Sequence, residues 1–122
     1  MANHFGDFIR NCRLQHGLTL RDFCQKNNLD PGNVSRLERG MMPAPHSQKK
    51  LTQYARALGI KRGTKKWTTF IDLAAASSGK IPCDLMSNEK VISRLPAFFR
   101  TLRSKKLSDK KIDELIDRLR GI

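Results

Sequence analysis

The chain has 122 residues and carries 24 Lys and Arg against 11 Asp and Glu, a formal charge of +13. That length allows about one domain and a small second lobe, and the charge favours a polyanionic partner, nucleic acid being the commonest. The basic residues are spread along the chain, with no basic tail. Cys12, Cys24 and Cys83 are odd in number and lack zinc-ligand spacing, so we expect reduced thiols and neither metal nor cofactor. No apolar run approaches the roughly 20 residues needed to cross a bilayer, and MANHFGDFIR lacks the order of a signal peptide. A cytoplasmic protein without a membrane partner is expected.

Phe5, Phe8, Ile9 and Cys12 recur at the helical period, and Gly17 is a natural stop, which predicts a first helix over roughly 3–16. Thr19, three residues before Asp22, makes a capping-box pattern that starts a second helix near Leu20; Asn27-Asn28 ends it, because Asn tolerates the left-handed conformation. Asp30 reads as the N-cap of a third helix with Pro31 at its first position, where a missing N–H costs nothing. That helix runs to about Arg39, and Gly40 stops it.

Ser47 caps a fourth helix with Leu51, Tyr54, Ala55 and Leu58 inward and Gly59 at its end. Lys49 and Lys50 in its first turn run against the helix dipole. They are either exposed lysines, each costing a few tenths of a kcal/mol, or partners of a phosphate at that N-terminus. After KRGTKK, a fifth helix carries Trp67, Phe70, Ile71, Ala74 and Ala75 to near Gly79. Ser87 and Glu89 open a further helical stretch through Phe98, Phe99 and Leu102, in which Pro96 either kinks the helix or opens a second one. Ser108-Asp109 opens a last helix with Ile112, Leu115, Ile116 and Leu119 in a narrow stripe. The expected fold is all-α.

Residues 19–40 have the layout of a helix-turn-helix. At 100° per residue, Val34, Leu37 and Glu38 share one side of the third helix; Gly32, Arg36 and Arg39 share the opposite side, flanked by Asn33 and Ser35. Such a helix fits the major groove, where Arg can bond guanine and Asn adenine. Asn33 and Arg36 rank first for base contact, then Ser35, with Gly32 allowing close approach and Arg39 meeting a phosphate.

The stretch FGDFIRNCRLQHGLTLRDFCQKNNLDPGNVSRLERG, followed by ARALGI, resembles the Xre/Cro type of the lambda-repressor-like helix-turn-helix family over roughly residues 5–60. The resemblance rests on Arg13, Thr19, the Phe23-Cys24 pair, the SRLERG ending and the ARALG before Ile60. It implies a five-helix DNA-binding domain, usually dimeric, whose third helix reads an operator half-site. It also implies that Arg13 pairs with Glu38, which explains an acid on the inward side of a DNA-reading helix, and that Cys24 is a small core residue. Phosphate contacts are implied at Thr19, Leu20 and Arg21 and at His46, Ser47, Lys49 and Lys50. Pro31-Gly32 depart from the long polar residues that often open the family's reading helix, so base contact shifts to Asn33 and Arg36.

We therefore expect a helix-turn-helix DNA-binding domain over 1–79, with a core at 5–60, and a helical C-terminal region over 80–122 for dimerisation or partner binding. Trp67, Phe70, Phe98 and Phe99 are expected to cover the DNA domain or to form a two-fold interface. The leading expectation is a cytoplasmic transcriptional repressor of bacterial or phage type, a homodimer bound to double-stranded DNA at an inverted-repeat operator. The alternative is an antitoxin or mobile-element autoregulator that also binds a protein through residues 81–122. An enzyme is not expected, because His4, His16 and His46 have no evident catalytic or metal partner in the sequence.

Overall fold

The computed structural model describes residues 4–105 and 108–120, the backbone alone at Lys105. The described residues are helical, with no strand among them. The helices are α1 (Phe5–Gln15), α2 (Leu20–Asn27), α3 (Pro31–Glu38), α4 (Gln48–Ala57), α5 (Lys65–Ser77), α6 (Cys83–Met86), α7 (Glu89–Lys105) and α8 (Asp109–Arg120). The chain divides into two compact units, Met1–Pro82 and Cys83–Ile122.

In the first unit each short helix is started by its own side chain. Thr19 Oγ1 accepts from the Asp22 N–H at 3.1 Å, Asp30 Oδ2 from Asn33 at 2.8 Å, Ser47 Oγ from Lys50 at 3.1 Å and Thr64 Oγ1 from Trp67 at 3.1 Å. Such caps are each worth about 1 kcal/mol, which matters for helices of eight to thirteen residues that are marginal alone. Asn28 ends α2 in the left-handed region at φ 55°, and Gly40 follows α3 at φ 72°.

The apolar faces of α1 to α5 meet in one core of Phe5, Ile9, Cys12, Phe23, Cys24, Val34, Leu37, Leu51, Tyr54, Leu58 and Phe70, with smaller residues between them. Phe70 is fully buried, its ring tilted against its neighbours with centroids 5.4 Å from Phe5, 6.2 Å from Phe8 and 6.0 Å from Trp67. Helix α5 is thus built into this unit, and the core extends past residue 60 to Ala74 and Ala75. Ser77 Oγ accepts from the Ala44 N–H at 3.0 Å, tying the loop after α3 to α5. Gly6, buried on α1, lies against the backbone at the end of α3: a Cβ there would collide with the Leu37 carbonyl oxygen and come within 2.8 Å of that of Glu38. This glycine sets how close α1 and α3 can be.

In the second unit α6 is a single turn that the sequence pattern does not signal. Asn88, rather than Ser87, caps α7: its Oδ1 accepts from Lys90 at 3.0 Å and from Val91 at 3.2 Å, whereas Ser87 Oγ donates to the Asp84 carbonyl. Helix α7 continues through Pro96 without a break, so the ring replaces the N–H that would have bonded the Ile92 carbonyl. None of the described side chains of α6, α7 and α8 is fully buried.

Candidate nucleic-acid interface

Helix α3 is held from behind by one ion pair. Arg13 on α1 donates from Nε and Nη2 to the two carboxylate oxygens of Glu38, both at 2.8 Å, and from Nη1 to the Leu18 carbonyl at 2.8 Å. Both side chains are only 8 % exposed. This guanidinium therefore joins α1, the turn before α2 and α3 in one fork-shaped contact. The hydrogen bonds to Glu38 push the Arg13 pKa above its ordinary value. Among the described residues no buried polar side-chain atom lacks a partner.

With Val34 and Leu37 buried, the opposite side of α3 faces outward: Gly32, Asn33, Arg36 and Arg39 are exposed and Ser35 is half-buried. Arg36 folds back along the helix, donating from Nη2 to Asn33 Oδ1 at 2.6 Å, and its guanidinium lies over Gly32, 3.6 Å from where a Cβ would stand. Asn33 keeps its amide N–H groups to donate outward. Arg39 Nε donates to the Ser35 carbonyl at 3.3 Å. The i, i+3 spacing of Asn33 and Arg36 was the available sign that the two side chains meet; a helical wheel alone treats them as separate.

The remaining candidates stand at two helix starts. At α2, Thr19 and Arg21 are exposed, while Leu20 is half-buried against the core, so only its backbone N–H can serve an anion. At α4, His46, Ser47, Lys49 and Lys50 are all exposed. Thr19 and Ser47 use their oxygens as acceptors in the caps, which leaves each O–H to donate. Each start thus offers backbone N–H groups, a hydroxyl and at least one cation, the donor set that suits a phosphate.

Two thiols lie beneath this surface. Cys24 is buried, and burial pushes its pKa up; at Cys12 the same effect exceeds the opposing influence of Lys66. Both behave as small core hydrophobes. His16, which the sequence left without a role, sets Nε2 against the Leu58 carbonyl at 2.9 Å, linking the ends of α1 and α4. Among the described residues no group of three or more His, Cys, Asp or Glu could hold a metal ion, and no helix is long and apolar enough to cross a membrane.

Comparison with known proteins adds one match and two blanks. The search of curated proteins and that of solved structures returned no match. The family model described as Helix-turn-helix matches residues 9–64, from within α1 through α4 to the cap of α5. Residues 9–64 therefore form a helix-turn-helix domain of the Xre, lambda-repressor-like type, which is a DNA-binding domain.

Proposed function

We propose that the protein is a sequence-specific transcriptional repressor that binds double-stranded DNA as a homodimer, with α3 of each copy in the major groove of one half of an inverted repeat. The observation that carries this reading is the outward row of Gly32, Asn33, Arg36 and Arg39 on α3, a helix anchored from behind by the Arg13–Glu38 pair. Asn33 and Arg36 read base edges, with Ser35 beside them, and Gly32 lets the backbone approach. Thr19, the Leu20 N–H, Arg21, Arg39, His46, Ser47, Lys49 and Lys50 grip phosphates on either side. The unit Met1–Pro82 is the DNA-binding part, and the unit Cys83–Ile122 supplies the dimer contact.

Selection of bound sites from random DNA, followed by gel-shift titration, tests the assignment. Arg36→Ala and Asn33→Ala should each lose ~1–3 kcal/mol against the selected site and relax preference at one base position. Because the two side chains are bonded to each other, their losses should not add, the double variant differing from the sum by about 0.5 kcal/mol or more. Full specificity in both single variants would refute the base-reading role. Lys49→Ala should weaken binding to every sequence alike and lower the slope of log K against log salt by about one; a change confined to the selected site would contradict a phosphate role for Lys49.

A further inference from the structure

Helix α8 is an element that the DNA-binding surface leaves unused. Ile112, Leu115, Ile116 and Leu119 line one side of it, and Ile116 and Leu119 are 41 % and 60 % exposed. Its local signals are sound: Ser108 Oγ accepts from the Lys111 N–H at 3.3 Å, Asp109 stands in the first turn, and Arg118 and Arg120 stand in the last. It is therefore a well-capped helix whose apolar stripe leaves Ile112, Ile116 and Leu119 exposed and Leu115 half-buried.

Its charge identifies the occupant. Asp109–Arg120 carries four acids (Asp109, Asp113, Glu114, Asp117) and four bases (Lys110, Lys111, Arg118, Arg120), so it is neutral in a chain whose whole excess of +13 lies elsewhere. A helix that lies on an anionic membrane carries a basic polar face, and a helix that docks on an acidic protein would do the same. A balanced helix suits a copy of itself, and it is where two strongly basic chains can meet without repulsion.

The charges are also sorted by side. At 100° per residue, Lys111 and Arg118 flank the stripe on one edge and Asp109 and Asp113 on the other, with Arg120 two turns beyond Asp113 at the helix end. When two copies lie parallel about a two-fold axis, unlike edges face each other; when they run antiparallel, like edges do. We propose that α8 pairs with α8 of a second copy in parallel, stripe against stripe, Lys111 of each standing level with the Asp109–Asp113 edge of the other, whereas an antiparallel pair would set Lys111 against Arg118. Twelve residues are too few to hold a dimer alone, and the exposed Phe98 and Phe99 of α7, in the same unit, supply further apolar surface. This pairing rests on the dimer reading above and names its surface and direction.

Sedimentation equilibrium of the full chain without DNA tests it. The expected mass is about 28 kDa, twice the 13.9 kDa of one chain. Ile116→Asp with Leu119→Asp should weaken association at least about tenfold, since each leucine-sized side chain withdrawn from water is worth that much or more. Lys111→Glu should weaken it, and so should Asp109→Lys with Asp113→Lys; mixing these two variants should restore a dimer. Circular dichroism and DNA half-site binding check that the first unit remains folded in each variant. A monomeric wild type, a dimer indifferent to the Ile116 and Leu119 changes, or charge variants that associate as tightly alone as mixed would each overturn the pairing. A monomer that still shifts half-site DNA would overturn the pairing while leaving the DNA reading intact, and a dimer that selects no DNA would do the reverse.

Discussion

Gly6→Ala is expected to destabilise the first unit by ~3 kcal/mol and to lower its melting temperature by about 15 °C, measured by thermal circular dichroism. Alanine in the middle of an open helix normally raises stability, by roughly 0.5–1 kcal/mol over glycine. Here the sign reverses because the added methyl meets backbone: the Leu37 and Glu38 carbonyl oxygens, which cannot rotate away as a side chain can. Helix α1 has to move off α3, and the Arg13–Glu38 contact between them opens with it. An unchanged or higher melting temperature would show that α1 and α3 do not approach as described.

Glu38→Ala is the second large effect, an expected loss of about 3 kcal/mol by chemical denaturation. It leaves the Arg13 guanidinium buried with only the Leu18 carbonyl as a partner. The cost lies in the stranded charge, not in the removed carbon atoms. Replacing both partners, Arg13→Met with Glu38→Leu, should therefore recover most of the stability, because an apolar pair of similar volume is often neutral or better. If the double variant is as unstable as Glu38→Ala, the pair contributes position and not just charge balance. DNA binding separates the effects further: the recovered double variant should regain its fold and reveal whether the fork geometry of Arg13 is needed to aim α3 at DNA.

The contacts that these two variants would remove also hold α3 in place. Helix α3, with eight residues, has too few turns to be rigid by itself. It is made rigid by its Asp30 cap, by Val34 and Leu37 in the core, by the close approach at Gly6 and by the Arg13 fork. The side chains that face outward, Arg36 and Arg39 among them, can then be exposed without the helix losing its direction.

The sequence by itself determined the local elements of the first unit. Capping residues, proline at a first helical position and glycine or asparagine at a helix end act on neighbours within a few residues, so Thr19, Asn28, Asp30, Pro31, Ser47 and Gly40 are legible one at a time. The helical period equally separated the inner face of α3 from its outer face. The family to which residues 9–64 belong was legible from the same stretch. Tertiary structure decided what depends on distance in space. That Phe70 and Ala74 pack into the same core as Phe5, and not into a two-fold interface, follows from α5 meeting α1, which no periodicity encodes. Gly6 resembles any small residue until α3 lies against it, and Asn33 and Arg36 become one unit only because Arg36 folds back along the helix. Beyond Pro82 the local rules reached less far: Asn88 caps the helix that Ser87 was expected to open, α6 is too short to show a period, and α7 carried on through Pro96 because a single lost hydrogen bond does not end a helix of seventeen residues.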